Sequence, residues 1–232
     1  MSATHEDQTA TAGFEKKEEQ KRRLRDSMQR TARMHPVKVN DSRSVMSIGF
    51  LVERAEDAIV WRGPLKFGAI RQFLSDVAWG DLDDLVIDCP PGTGDAPLTV
   101  AQLAGRPASA LVVTTPQQLA IADVRRCITF CKKVTQPVAG IIENMSGFVC
   151  PHCGGTVDLF GRGGGEKLGQ GMGVPFLGRV PMDPMIASNG DRGKPFVSAD
   201  AQNPSARALL DIVETLADTD AAERSGPGRQ AT

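Results

Sequence analysis

Two segments of this 232-residue chain carry residue types whose spacing can do chemistry. The first is Cys150-Pro151-His152-Cys153, where two thiolates can grip one metal ion or two corners of a cluster. Gly147 precedes the pair and Gly154-Gly155 follow it, so a loop knuckle is expected rather than a helix start. One such pair is half of a tetrahedral site. A second copy of the chain across a two-fold axis would complete it. Cys127 and Cys131, four residues apart on an expected helix, are the other possible source, but that helix should turn them toward the core. Cys89 reads as a small buried hydrophobe and His152 as a loop residue rather than a ligand. Thiolates suit zinc as well as iron, so the residues alone leave the metal open. A Cys-x-x-Cys pair can also be a redox site, with its first cysteine at a helix N-terminus. The glycines after Cys153 argue against a helix there.

The second segment is LVIDCPPGTGD, Leu85 to Asp95. An apolar run ends in Asp88, and a glycine-containing turn follows. A carboxylate so placed can hold the water shell of a magnesium ion beside a phosphate. The Gly92-Thr93-Gly94 turn lets backbone amides approach a terminal phosphate closely. A lone acid at a strand end is more often a simple turn cap, but PPGTGD is longer and rarer than that.

The elements that must position these residues follow from the pattern of apolar runs. Strands are expected at Ser44–Val52, Leu82–Cys89, Ala110–Thr115, Val138–Asn144 and Val174–Val180. Helices are expected from Pro64 through Val77, from Gln118 to Lys132, and from an Asn203 cap to about Ala217. The strands are short, continuously apolar and separated by helical patterns, which is the signature of a parallel sheet buried on both faces. Ligands in such sheets sit at the carboxyl ends of strands. Asp88 to Asp95, Thr114 to Gln117 and Glu143 to Ser146 all fall there. Residues 1–44 differ from the rest. Phe14 to Arg33 is almost all charged or polar, with Glu18 and Glu19 four residues before Arg22 and Arg23, and reads as a mobile arm. The expected organisation is this arm, an α/β domain over 45–217 with a cysteine loop at 147–155, and a disordered tail over 218–232.

Composition bounds the function classes. A net charge of −1 recruits neither nucleic acid nor an anionic membrane, and no apolar run approaches the roughly 20 residues of a membrane helix. Tyrosine is absent and aromatics make up 5%, which disfavours stacking platforms for single-stranded nucleic acid. The N-terminal residues contain no apolar signal region, so a cytoplasmic location is expected. Five cysteines in such a chain argue against a disulfide framework.

Taken together, SVMSIGFLVE, WRGP (Trp61–Pro64), QFLSDVAWGDLDDLVIDCPPGTGD, TTPQQLAIADVRR, GIIENMSGFVCPHCG, FGRGGGEKL, GVPFLGRVPMDP and GDRGKPFV resemble the Mrp/ApbC iron–sulfur carriers, in that family's order. The resemblance spans about residues 44 to 197 and places the chain near the MinD/ParA-like dimeric P-loop ATPases. It implies a P-loop NTPase-like fold, with Asp88 as the magnesium-shell aspartate and Gly92, Thr93 and Gly94 as a nucleotide-sensing turn. It implies that Asn144 reads the adenine edge and that Pro181 and Asp183 line the base pocket. Cys150 and Cys153 would share a bridging [4Fe-4S] cluster with a partner subunit, a homodimer mate or a full-length paralogue. The implied activity is ATP-dependent holding and release of that cluster to recipient apo iron–sulfur proteins.

The chain departs from the family in one respect. A P-loop needs G-x-x-x-x-G-K-S/T, whose amides cradle phosphates while its lysine and hydroxyl reach phosphate and metal. No stretch here fits. In the nearest one, Gly161 to Leu168, Glu166 stands where the second glycine belongs and Leu168 lacks the hydroxyl. The expected fold class is therefore an α/β, incomplete doubly wound, mostly parallel sheet lacking its first strand and P-loop, in a truncated or rearranged family member. ATP hydrolysis is expected to be absent or very weak. A non-enzymatic accessory subunit and a zinc-stabilised structural protein are the competing readings.

Overall fold

The computed structural model describes residues 33–52, 54, 63–105, 108–150, 153, 155–199 and 201–225. Most of the expected charged arm, Trp61, His152 and the last seven residues lie outside the described residues. The chain divides into two compact units, Met1–Ala104 and Gly105–Thr232.

In the first unit, β1 (Val37–Asn40) and β2 (Arg43–Val45) form a short antiparallel hairpin that crosses the boundary expected at residue 44. The Asn40 side chain closes its turn by accepting a hydrogen bond from the Ser42 amide at 3.1 Å. The strand expected over Ser44–Val52 ends at Val45. Ser47 accepts from the Gly49 amide at 3.2 Å and starts a 3-10 turn, Ile48–Phe50, which takes the backbone out of extended geometry. Helix α1 (Gly63–Ser75) carries Pro64 in its first turn, where a missing amide hydrogen costs nothing. Val77 lies past the helix end and makes a parallel bridge with Met34, and both side chains are buried. Trp79 Nε1 donates to the Phe73 carbonyl at 2.9 Å. Helix α2 (Asp95–Ala104) packs on α1 and follows the glycine turn.

Leu82–Cys89, expected as a strand, is not one. It joins no ladder with any described strand, and Leu85, Val86 and Ile87 are exposed. An apolar run becomes a strand only when a neighbour takes up its amides and carbonyls.

The second unit holds the sheet. Strands β3 (Ala110–Thr114), β4 (Val138–Val149) and β6 (Phe176–Met182) are parallel, with β4 between the other two. β5 (Thr156–Val157) turns back antiparallel on the end of β4. Helices cover both faces, as expected for a doubly wound sheet. Ile141 points to one face with Val112, Ile121 and Ile128 of α3 (Gln118–Lys133) and Leu168 of α4 (Gly164–Met172). Its neighbour Ile142 points to the other face with Leu177, Val180 and Ile212 of α7 (Pro204–Ser225). This alternation is the period-two consequence of strand geometry. Two short helices, α5 (Pro184–Asp191) and α6 (Phe196–Ala199), connect β6 to α7. Asn203 caps α7 through the Ser205 amide at 2.8 Å, as the sequence indicates, but the helix runs on to Ser225, into the stretch expected as tail.

Candidate functional site

The second unit concentrates polar groups where β4 passes its parallel partners. At Glu143 the strand is still paired on both sides, with Thr114 and with Arg179. Two residues later Met145 takes a left-handed φ of 56°, and Gly147 follows at 85°. The strand kinks there, then resumes as Phe148 and Val149 paired with Val157 and Thr156. This hairpin carries Cys150 and Cys153 in its loop, closed by the Cys150 amide donating to the Gly155 carbonyl at 2.9 Å. Cys150 is half-buried and Cys153 exposed. The described residues on either side of the loop are the antiparallel strands β4 and β5. Among the described residues no three His, Cys, Asp or Glu side chains converge as a metal site.

Beneath the kink lies Glu143, 0% exposed. Its carboxylate accepts from Ser146 Oγ at 2.5 Å, from the Gly163 amide at 2.8 Å and from the Gly165 amide at 2.6 Å. Arg179 places Nε 3.4 Å from it as an ion pair, holds Cζ 4.9 Å from the centroid of the Phe176 ring, and pairs through Nη2 with Glu166. Burial pushes the Glu143 carboxyl up, but the Ser146 hydroxyl, the two amides and the Arg179 charge outweigh it and leave it below the ordinary glutamate value.

The glycine run that failed as a P-loop thus has a structural explanation. Gly163 adopts a left-handed φ of 83° ahead of α4. A Cβ on Gly164 would meet the Pro116 carbonyl oxygen at 2.5 Å, and one on Gly165 would press on Thr114 and Glu143 at 3.2–3.3 Å. The run forms an anion-binding helix start whose anion is the chain's own Glu143. The sequence pattern sets Glu143 to Ser146 at a strand end, whereas Gly163, Gly165 and Arg179 join them only through the fold. The signal available was the buried-strand position of Glu143, since a carboxylate there must be partnered.

The β4–β6 ladder places Asn144 opposite Val180, next to Pro181. Asn144 is half-buried and accepts from the Met145 amide at 2.9 Å. Asp183 caps α5 through the Met185 amide at 2.7 Å and accepts from Asn203 Nδ2 at 2.7 Å. The Pro181 carbonyl accepts from Ser205 Oγ at 3.2 Å. Asn144, Pro181 and Asp183 therefore share one edge of the second unit, at the end of β6. Asp88, Gly92, Thr93 and Gly94 belong to the first unit, where all four are exposed. Gly92 has a φ of 92°, and the Gly94 carbonyl accepts from the Leu98 amide at 3.3 Å, so the turn leads directly into α2.

Cys89 is exposed, contrary to its reading as a core filler, because the segment around it pairs with no described strand. Cys131 is 4% exposed and faces the core. Its thiol donates to the half-buried Cys127, which pulls Cys127 down to about 7 and pushes Cys131 far above the thiol range.

A family model described as ParA, NUBPL iron-transfer P-loop NTPase, matches residues 14–217. This begins upstream of the stretch where the sequence motifs resemble the carriers. The chain is 51% identical over 183 residues to the cytosolic Fe-S cluster assembly factor NUBP2 homolog of Trichoplax adhaerens, covering 76% of this chain and 68% of that protein. It is 50% identical over 177 residues to human cytosolic Fe-S cluster assembly factor NUBP2, covering 75% of this chain and 65% of that one. Among solved structures, a nucleotide-binding protein of Archaeoglobus fulgidus in complex with ADP is 40% identical with a TM-score of 0.60, covering 75% of this chain and 65% of that chain. This chain thus spans about two thirds of the length of these relatives, between 65% and 68%.

Proposed function

Since this chain belongs to the ParA family of NUBPL-type iron-transfer P-loop NTPases, we propose that it acts in cytosolic iron–sulfur cluster assembly, holding a [4Fe-4S] cluster as cargo between two copies. The observation that carries this reading is the β4–β5 hairpin, which presents Cys150 and Cys153 from one loop at the edge of a well-packed sheet. Two thiols per copy are too few to enclose a cluster, so two copies contribute two each. Each cysteine loses its proton to solvent as its sulfur takes an iron corner. Release to an apo-protein replaces each sulfur–iron bond with one to a recipient cysteine, whose proton passes to the thiolate that is freed.

In the nucleotide part of this proposal, Asn144 reads the base edge with its side-chain amide. Pro181 and Asp183 line the base pocket beside it, with Asp183 held in place by the Met185 amide and Asn203 while its oxygens keep further acceptor sites. Within the first unit, Asp88 and the Gly92–Gly94 turn are the residues suited to magnesium and phosphate. One carboxylate ahead of an amide-rich turn fits magnesium, which keeps several waters and neutralises phosphate charge when bound. This chain has no P-loop motif to grip the phosphates. The expected ATP turnover is therefore absent or very weak, and turnover that disappears in Asp88→Ala would overturn that part.

The test is anaerobic reconstitution with iron and sulfide, reading iron and zinc per chain, visible absorption and oligomer size for wild type, Cys150→Ser and Cys153→Ser. Cluster uptake by a dimer, lost in both variants, supports the carrier reading. Zinc alone, or uptake that survives both substitutions, overturns it. A second reading, an accessory subunit that docks on a P-loop-bearing relative, is favoured by the exposed Leu85–Ile87 run. A stable one-to-one complex with such a relative by sedimentation, with no cluster on the chain alone, would select it.

A further inference from the structure

We propose that Glu143 is a positioning residue for the thiol loop: its buried carboxylate ties Ser146 and the first amides of α4 to one point, fixes the kink in β4, and so sets how Cys150 and Cys153 face a second copy. This deepens the carrier reading and rests on it for the cluster, though not for the geometry.

The position of Glu143 is what distinguishes it from a general staple. It is the last residue of β4 paired with both β3 and β6 before the strand turns aside. Ser146, three residues on, lies inside the kink formed by Met145 and Gly147, and its hydroxyl is held at 2.5 Å. The other carboxylate contacts come from Gly163 and Gly165, on the far side of the hairpin in sequence. The thiol loop, residues 150–155, is therefore bracketed on both sides by groups bound to one carboxylate. Beyond the kink the hairpin is held by the pairing of Phe148 with Met182 and by β5, which is two residues long and exposed. A buried carboxylate is also a costly way to fill space, since it carries a desolvation penalty that an apolar side chain would not incur. Arg179 supplies the countercharge, and its link to Glu166 ties the carboxylate to the first turn of α4 a second time.

The experiment uses the full chain as Glu143→Gln, Glu143→Asp and Ser146→Ala. Glutamine keeps the size but replaces one acceptor oxygen with a donor that faces a donor amide. Two readouts are taken below the melting temperature of each variant. One is the half-life of the reconstituted cluster against a chelator. The other is the alkylation rate of Cys150 and Cys153 by peptide mass spectrometry, with Cys131 as internal control. In Glu143→Gln we expect cluster half-life to fall and loop-thiol alkylation to rise about tenfold, the effect of losing a hydrogen bond to a charged group, while Cys131 stays protected. Glu143→Asp restores most of both. Glu143→Gln with a lower melting temperature but wild-type half-life and alkylation would reduce Glu143 to a fold staple and overturn the proposal. If Glu143→Gln does not fold, Ser146→Ala decides, with about a threefold change expected in both readouts and no change overturning it. If wild type takes up no cluster, the carrier reading fails, and the alkylation rates still test the positioning role.

Discussion

Leu82–Cys89 and Val138–Asn144 are alike as sequence: each is an apolar run ending in an acid and one more residue. Their structures are opposite. Ile141 is 0% exposed in the middle of a parallel sheet, while Val86 is 91% exposed in an irregular segment paired with no described strand. The acids follow suit, with Glu143 buried in a four-partner network and Asp88 exposed. The difference comes from the neighbours. β4 has a parallel strand on each side and a helix layer on each face, so its alternate side chains meet two cores. Burying an aliphatic side chain of this size is worth about 1.5–3 kcal/mol, of which the exposed Val86 gains little.

The widest gap between the two regions should appear in their response to truncation. Ile141→Ala removes a fully enclosed side chain and should cost about 2–5 kcal/mol by urea unfolding. Val86→Ala removes an exposed one and should stay within about 0.5 kcal/mol. The comparison breaks if Val86→Ala costs as much as Ile141→Ala. That outcome would mean that Leu85–Ile87 is covered in solution, by a second copy or by another chain. Concentration dependence of the midpoint would separate the two.

The acids sharpen the comparison through pH. The folded-state value of Glu143 is depressed, so the stability its charge contributes is complete above the unfolded glutamate value of about 4.3 and is lost as pH falls through the lower folded value. Glu143→Gln should be less stable than wild type by about 1–3 kcal/mol at pH 7, because donors aimed at the carboxylate lose an acceptor. That gap should close as the solution is acidified below the unfolded value. Asp88→Asn, at an exposed position, should leave unfolding within about 0.5 kcal/mol of wild type across the same range. A Glu143→Gln gap that does not vary with pH would mean that the buried group is not ionised.

Legibility in the sequence divides along the same line. β3, α3, the first part of β4 and the cap of α7 are set by local pattern, and the expected bounds differ from the observed ones by few residues except at the end of α7. Of the glycines that flank Cys150 and Cys153, Gly147 takes a left-handed φ of 85° and the Gly155 carbonyl accepts from the Cys150 amide, in keeping with the turn those glycines indicate. The irregular state of Leu82–Cys89 was not legible, because whether an apolar run is a strand depends on partners that lie elsewhere in the chain. The same holds for Cys89, whose exposure follows from that of its segment. The Glu143 network joins residues 36 positions apart, from 143 to 179, and no local window contains it. What the sequence did offer was a negative: Glu166 excluded a phosphate from the glycine run, and the structure supplies the carboxylate that the run binds instead.

The thiols carry the comparison to its smallest expected effect. Cys131 lies in the core of the second unit and Cys89 on the exposed segment of the first. Cys127 is intermediate, a half-buried sulfur that accepts a hydrogen bond from Cys131 four residues on. That bond stabilises the thiolate of Cys127, which should therefore react with iodoacetamide with a midpoint near its value of about 7, against an ordinary thiol near 8.5. Cys131, holding its proton against Cys127, should stay unmodified until the unit unfolds. Cys89 should be modified in the native state without any opening. In Cys131→Ala the Cys127 midpoint should move back toward the ordinary thiol value, since its donor is gone. A Cys127 midpoint that does not move would mean that the helix itself, and not the neighbouring thiol, sets its reactivity. Cys89 modified no faster than Cys131 would mean that the exposed segment is covered in solution, the conclusion that a costly Val86→Ala would reach by a different route.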